Sequence, residues 1–322
     1  MIIIEFFYNA LRSEQLYYTI ISGIPSEVST SWSHNDAIHN EHTSFVLDLC
    51  DGIVDTTKSP DSTVQFVHDS VVDFFLKENG CMEIWPNVGT QFEGQGHEKL
   101  KECCINYINY IRTDRPPDID MSQPLPEASS KEAAALRNKM KSDYPFLEYA
   151  VQNVLYHADT AQSLGISQNG FIQNFPLSQW IYLNNLLEEC QVNRRTPNAS
   201  LLYILAEGNL SSLIQVYGYT LSDATEVGHE NYGPLVFAAL ATGVKEAIQL
   251  VRRAQDVDEY FAQIHKVDNE YPSTQNECFI LMKNFTFSKD RTILSYLAEH
   301  GNNKNARFFS SDGKFRAGCQ RQ

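Results

Sequence analysis

Between residues 62 and 80, the hydrophobic pattern changes from that of a strand to that of a helix. The first residues, Thr-Val-Gln-Phe-Val, are mostly types that favour a strand. Asp69 and Ser70 can cap a helix, and Ser70 with Asp73 has the spacing of a capping box. Four apolar residues then predict a buried helix face: Val71, Phe74, Phe75 and Leu76. Since 52–57 predicts a second short strand, the segment predicts a β-hairpin followed directly by a buried helix, the layout of the wing in a winged helix.

Two further helices are predicted in the first 80 residues. Ser13 is expected to cap the first helix, whose apolar positions have helical spacing: Leu16, Tyr17, Ile20 and Ile21. The second helix is predicted over 35–50, with an apolar side formed by Ile38, Phe45, Val46 and Leu49. With the hairpin, these helices predict a small winged-helix-like domain over residues 1–80.

Residues 81–195 predict a helical connector with little strand signal. A loop over 80–96 precedes a helix over 97–112, in which six residues are expected to face inward: Leu100, Cys103, Cys104, Tyr107, Ile108 and Ile111. The segment 113–130 holds four prolines and several acidic residues, so it predicts an exposed loop. Further helices are predicted over 131–142, from Pro145 through Ala158, and over 177–191.

A faint repeat begins near residue 196. Three segments fit the ankyrin pattern T-P-L-H-x-A-A-x-x-G followed by an apolar helix: 199–208, 232–243 and 292–301. Their last glycines, Gly208, Gly243 and Gly301, lie 35 and then 58 residues apart, and the first interval is one ankyrin period. The second interval leaves two interpretations open, an insertion around 256–290 or a further decayed repeat. Residues 196–322 therefore predict a short, degenerate and truncated ankyrin-like α-solenoid.

The block from Val64 to Leu76, VQFVHDSVVDFFL, resembles the V-Q-F, H, S and D-F-L block that follows the NACHT nucleotide-binding domain in fungal NACHT–ankyrin proteins. These are signalling ATPases of the STAND class, and their domain organisation is related to that of NOD-like receptors. The similarity continues over 11–23, 92–111, 144–162 and 175–189, so it covers most of the chain. The NACHT domain itself is missing, and the chain resembles the back half of that family.

The resemblance implies different functions for the two ends of the chain. In that family, the winged helix packs beside the nucleotide-binding domain and helps to hold the off state. The ankyrin repeats are the expected sensor or partner-binding surface. The expectation for this chain is a mainly α protein with a winged-helix-like domain, a helical connector and a short ankyrin-like α-solenoid.

Composition and charge narrow the function further. The chain has 322 residues, 43% hydrophobic and 20% charged, which is enough to bury a core. A net charge of -15 argues against nucleic acid or an anionic membrane as the main partner. No apolar run approaches the length of a membrane span, and Glu5 interrupts the apolar start before a signal-peptide core forms. Seven cysteines without a C-x-x-C motif suit reduced thiols, so a cytoplasmic location is expected.

Nucleotide and hydrolytic motifs are not found in the sequence. The loop Gly89–Gly94 has the glycine spacing of a Walker A motif, but Gln95 stands where lysine must contact the phosphates. His68 matches the histidine of the family block, and we interpret it as a junction or capping residue, because sequence neighbours do not face one another on a helix. Neither H-E-x-x-H nor G-x-S-x-G occurs, and His97-Glu98 lacks the second histidine.

For three other groups of residues, a structural role is preferred to a chemical one. Cys103 and Cys104 could form a redox pair, but adjacent helical residues point about 100° apart, so core packing is the preferred interpretation. His34, His39 and His42 could bind a metal, but no fourth ligand accompanies them, and a solvated surface is preferred. Residues 13–57 contain seven acidic residues and no lysine or arginine, which argues against a helix that enters a DNA groove.

These observations predict a non-catalytic protein-interaction or regulatory module of a NACHT–ankyrin type signalling protein. Its partners are proteins of unknown identity, bound through the ankyrin repeats. No catalytic, cofactor-binding or metal-ligating residue is assigned, and no nucleotide, nucleic acid or membrane is an expected partner. Two alternatives stay open: a truncated gene product without independent function, and an enzyme with no recognisable motif.

Overall fold

The computed structural model describes residues 11–23, 39–57, 63–77, 80, 83, 91–114, 121 and 123–218. The chain divides into two compact units, Met1–Gln191 and Val192–Gln322, and the second is described over residues 192–218. This division falls close to the predicted boundary at 195/196 and makes no cut near residue 80. The predicted repeats 232–243 and 292–301 lie outside the described residues.

The described part of the first unit is mainly helical, with one small sheet. Its elements, in chain order, are α1 (Ser13–Ser22), α2 (His39–Leu49), β1 (Val54–Thr56), β2 (Val64–Phe66), α3 (Asp69–Lys77), α4 (Phe92–Asp114), α5 (Lys131–Asp143), α6 (Leu147–Ser163), α7 (Asn169–Asn174) and α8 (Leu177–Leu187). A 3₁₀ turn follows at Gln191–Asn193. The predicted mainly α class with a small β-hairpin is confirmed.

β1 and β2 pair antiparallel, with Val54 opposite Phe66 and Thr56 opposite Val64. The chain enters β1 through Asp51 and Gly52, whose φ values of 48° and 78° make a left-handed turn after α2. Val54 and Val64 are buried, so one face of the hairpin is apolar. The predicted hairpin is therefore present with the register that this apolar face requires.

The sheet is extended by the residues just before α1. Arg12 forms a bridge with Thr63, and the backbone N–H of Val64 donates to the carbonyl of Leu11 at 3.0 Å. At the other end of β2, the ring of Phe66 stacks on the ring of Phe75 from α3, with 6.1 Å between centroids. β2 thus connects the start of α1 to the helix that follows the hairpin.

α1 begins at Ser13, but Ser13 is its first helical residue rather than its cap. Arg12 occupies the cap position, and its backbone N–H donates to Gln15 Oε1 at 3.1 Å. The buried residues are Ser13, Leu16, Thr19 and Ser22, whereas the predicted Tyr17, Ile20 and Ile21 are half-buried. The inner face is therefore more polar than predicted, because Ser13 and Thr19 both hydrogen-bond, to Thr43 Oγ1 and to the carbonyl of Gln15 respectively.

α2 buries a different stripe from the one predicted. His42, Val46 and Cys50 are buried, whereas Phe45 and Leu49 are 39% and 54% exposed. The buried residues are spaced i, i+4 and i+8, which makes a continuous helix stripe that includes a histidine. The predicted apolar side was wrong for Phe45 and Leu49 and right for Val46, and Ile38 lies outside the described residues.

α4 is the longest described helix, and its N-terminal end lies inside the loop predicted over 80–96. Gly94 is part of this extra turn, and an added Cβ there would lie 3.1 Å from Leu164 Cβ and 3.2 Å from Ile166 Cγ1. Glycine therefore lets the chain after α6 approach the start of α4. All six residues predicted to face inward from α4 are fully buried.

α6 packs against α4 and also holds α8. The indole Nε1–H of Trp180 on α8 donates to the carbonyl of Val151 on α6 at 2.8 Å, in a buried setting. α7 was not predicted. α8 ends at Leu187 rather than at residue 191, because the chain becomes extended at Glu188 (φ -73°, ψ 129°).

Arg137 explains how the chain is held beyond α8. Its buried guanidinium donates to the carbonyl of Glu188 at 3.0 Å and to the carbonyl of Ala128 at 3.4 Å. Ala128 is fully buried, and its N–H donates to Gln191 Oε1 at 2.9 Å. The last part of the predicted exposed loop 113–130 is therefore anchored to α5 rather than solvated.

In the second unit, two short helices form a helix–turn–helix: α9 (Leu201–Glu207) and α10 (Ser211–Tyr217). Ser200 caps α9, because its side chain accepts the N–H of Tyr203 at 3.2 Å. The turn uses Gly208 and Asn209, and Asn209 is left-handed with φ 55°. Residues 201–206 are all buried.

Candidate functional site

The candidate site in the described residues is a contact between two buried histidines, one on α4 and one on α6. His97 comes from the first half of α4 and His157 from the second half of α6. Their Nδ1 atoms are 2.9 Å apart, and the side chains are 5% and 1% exposed. Both side chains lie on stripes that pack α4 against α6, so an imidazole pair occupies positions where apolar residues would be expected.

Tyr149 extends the pair into a chain of three groups. Tyr149 lies about two turns before His157 on α6, and its hydroxyl is 2.9 Å from Nε2 of His157. His157 therefore uses both ring nitrogens in hydrogen bonds. In one arrangement His97 donates from Nδ1 and His157 donates from Nε2 to the tyrosine oxygen. In the other, Tyr149 donates to His157, which donates from Nδ1 to His97.

Burial favours the neutral form of both histidines. Burial, together with the neighbouring His97, lowers the pKa of His157 to about 3. Burial also lowers the pKa of His97, and the carboxylate of Glu93 one turn earlier offsets part of that effect. The cause is desolvation, because the imidazolium form loses more hydration than the neutral ring on transfer to the interior.

A second cluster of polar side chains lies on the next turn of α4, and its members hydrogen-bond to one another. Lys101 is buried, and its Nζ donates to Glu98 Oε1 at 2.6 Å and to Gln168 Oε1 at 3.0 Å. Gln168 Nε2 donates to Glu98 Oε2 at 2.6 Å, which completes a ring of three side chains. The ammonium also lies 5.1 Å from the centroid of the Phe171 ring, a cation–π contact. This arrangement fixes α7 and its preceding loop to α4.

Both groups are suited to structure rather than to turnover. A general base needs a lone pair directed at a substrate, and both nitrogens of His157 already have protein partners. Lys101 is an ion-paired ammonium rather than a free amine. Within the described residues, no three histidine, cysteine, aspartate or glutamate side chains are grouped as metal ligands.

The structure places His68 at the start of α3, as predicted for a capping histidine. The backbone N–H of Ser70 donates to His68 Nδ1 at 3.1 Å, and Ser70 Oγ lies 2.9 Å from the same atom. The capping role that was predicted for Asp69 and Ser70 is therefore taken by His68. α3 already begins at Asp69, so His68 is the residue that precedes the helix. The argument that His68 and Ser70 cannot meet was wrong, since His68 precedes the helix.

The core-packing interpretation of Cys103 and Cys104 is confirmed, whereas the predicted solvated surface is wrong for His42. Cys103 and Cys104 are fully buried in the face of α4, and burial raises the pKa of Cys103 to about 12. His42 is buried rather than solvated, with its ring centroid 4.2 Å from that of Tyr17. His34 lies outside the described residues. Residues 92–94, at the end of the Gly89–Gly94 segment, belong to the start of α4 rather than to a flexible loop.

Sequence reasoning missed the residues that build these groups. His157, Tyr149, Lys101 and Gln168 were not singled out. The available signal was the position of His157 on the apolar stripe of a predicted helix, beside Val154 and Ala158. That signal locates a buried histidine but does not identify its partner.

Comparisons of the chain with protein-family models, with curated proteins and with solved structures give no match. The resemblance to NACHT–ankyrin proteins therefore rests on sequence motifs alone. Among the helices that the structure describes, none has both the length and the apolar composition needed to cross a bilayer.

Proposed function

We propose that the chain is a non-catalytic protein-interaction and regulatory module of a NACHT–ankyrin type signalling protein. The observation that carries the proposal is the helix–turn–helix of α9 and α10, which coincides with the first predicted ankyrin repeat. Gly208, which caps the C-terminal end of α9, is the glycine that the repeat pattern requires at that position. Residues 201–206 are buried on every side of a two-turn helix, and such burial needs packing partners in addition to α10.

The first unit supports a winged-helix-like start to the module. α2, the β1–β2 hairpin and α3 follow one another in the order predicted for a winged-helix wing, and Phe75 of α3 is the buried residue of a small cluster with Phe66 and Val71. The cysteines at positions 50, 103, 104 and 190 are free thiols, which suits the reducing cytoplasm that we propose as its location.

A non-catalytic role is favoured by the way the polar interior is arranged. His157, Lys101 and Gln168 are each engaged by neighbouring side chains, and the buried thiols of Cys103 and Cys104 are held protonated because burial raises their pKa values. A thiol must become a thiolate to act as a nucleophile, so these cysteines are poor candidates for covalent catalysis.

The test uses the purified chain and an isolated NACHT nucleotide-binding domain from a fungal NACHT–ankyrin protein. We expect calorimetry to detect binding between the two proteins and none between the chain alone and ATP with Mg²⁺. The exposed Leu49 of α2 lies in the winged-helix-like part, so Leu49→Asp should weaken binding about tenfold or more, the loss expected of an interface residue.

Leu164→Asp is the matched control, because Leu164 is an exposed leucine at the end of α6, away from α2 in the sequence. It should bind the NACHT domain as the parent does. Equal weakening by both variants, or no binding by the parent, contradicts the interaction proposal. ATP binding by the chain alone contradicts the proposal that it is not a nucleotide-binding protein.

A further inference from the structure

The His97–His157 contact can hold a limited number of protons. With both rings neutral, one Nδ1 carries a hydrogen and the other presents a lone pair across 2.9 Å. If His97 takes one proton, it still donates from Nδ1 to His157, so the hydrogen bond survives. If both rings are charged, two N–H groups face each other across the same gap and the hydrogen bond is lost.

We infer that His97 and His157 form a proton-operated clasp between α4 and α6, closed with no added proton or one, and opened by the second. No other helix pair in the described residues of the first unit packs as extensively as α4 and α6. The clasp sits near the N-terminal end of α4, so its opening separates the helices from that end. The stripe that would lose its cover includes Leu100 and Cys104, which are fully buried.

The charged groups around the pair determine the order of protonation. Glu93 lies one turn before His97 on α4, and its carboxylate favours a proton on His97. Tyr149 and Tyr156 of α6 lie beside His157. The neighbouring charge that lowers the pKa of His157 is that of His97. A charged His97 therefore opposes a charge on His157. The charge of the nearby Lys101 is compensated by Glu98, at 2.6 Å from its Nζ.

The directions of the two pKa shifts support this order. Both are lowered by burial, and that of His157, at about 3, is lowered by His97 as well. Because an opened pair regains water and its ordinary pKa near 6.5, acid stabilises the open form relative to the closed one. The free energy that holds the clasp shut thus falls as the pH drops below that value.

The direct test is NMR of the full chain with ¹⁵N-labelled histidine. At about pH 7.5 we expect a coupling across the Nδ1–H···Nδ1 hydrogen bond, in a pair that does not titrate with the solvent-exposed histidines. Acidification to about pH 4.5 should remove the coupling and, in hydrogen exchange corrected for the intrinsic pH effect, speed exchange in α4 and α6 about tenfold.

His97→Asn supplies a side chain that can donate to His157 but cannot take up a proton, so it should reduce the acid-induced gain in exchange. His68→Asn is the matched control: it removes an exposed histidine and retains a good helix cap. It should respond to acid as the parent does. If both buried histidines take up protons while α4 and α6 stay protected, or if His97→Asn opens as readily as the parent, the clasp is refuted. The NMR experiment uses the unmodified chain, so a variant that fails to fold does not prevent a decision.

Discussion

Gly94 and Leu164 lie so close that a Cβ added to Gly94 would be 3.1 Å from the Cβ of Leu164. The contact brings the chain after α6 onto the start of α4, one turn before His97. We expect Gly94→Val to reduce the free energy of unfolding by about 2 kcal/mol, because the branched side chain must push this loop outward. Urea denaturation followed by circular dichroism measures the change.

Gly170 provides the control for this substitution. It lies in α7, and an added Cβ there would meet nothing within 4 Å. Gly170→Val should change stability by no more than about 0.5 kcal/mol, since the weak helix preference of valine still exceeds that of glycine. Equal losses at the two positions would mean that the close approach at Gly94 does not exist.

Phe75 should be the main anchor of α3. It is buried against the hairpin, whereas Phe74 is half-buried. We expect Phe75→Ala to cost about 3 kcal/mol, the lower end for a core phenylalanine, because the hairpin offers a small core. Phe74→Ala should cost less, and the partly exposed Phe45 gives a reference below about 1 kcal/mol. Thermal denaturation of the three variants ranks them, and a Phe75→Ala protein that melts like the parent would contradict the packing of α3.

Arg137 should hold the end of the first unit through its two carbonyl contacts. Arg137→Met keeps much of the buried stem and removes the donors to Glu188 and Ala128, so we expect a loss of about 2–3 kcal/mol. Hydrogen exchange should then increase at residues 126–130 and 188–191. Lys131→Met, at the exposed start of α5, removes a positive charge without these contacts and should leave exchange in both segments unchanged. Unchanged exchange in the Arg137 variant would rule out the anchoring role.

Cys103 and Cys104 should be nearly inert in the folded protein. Burial raises the pKa of Cys103 to about 12, so little thiolate forms near neutral pH, whereas Cys190 is exposed. Mass spectrometry after brief alkylation should find Cys190 modified and the pair modified only in denaturant. Cys103 contributes stability that is full below its unfolded pKa near 9 and is lost as the pH rises towards 12. Cys103→Ser should reduce this alkaline loss, and rapid labelling of the native pair would contradict its burial.

The sequence pattern predicted α4 best, because an uninterrupted apolar stripe from Leu100 to Ile111 leaves one way to face a core. It failed on α2, where the histidine at position 42 was treated as polar, although an imidazole can stack on Tyr17 in the interior. Helix ends were also less predictable. The end of α8 depends on the remote Arg137, and the start of α4 depends on contact with residues after α6.

The histidine pair could not be predicted for a related reason. His97 and His157 are separated by 60 residues, and their contact depends on the axial register of two helices. Hydrophobic spacing determines which face of a helix is buried, but it leaves open which residues of two buried faces come together. The winged-helix and ankyrin assignments stay predictions, because no family model or solved structure matches the chain.

Trp180 gives the chain an internal optical reporter. Its indole is buried and donates to a carbonyl of α6, so separation of α8 from α6 transfers the ring from an apolar to an aqueous environment. The chain has three tryptophans, and Trp32→Phe with Trp85→Phe would leave Trp180 as the sole emitter. A shift of its fluorescence to longer wavelength would then time the loosening of this one helix pair, independently of exchange or melting measurements.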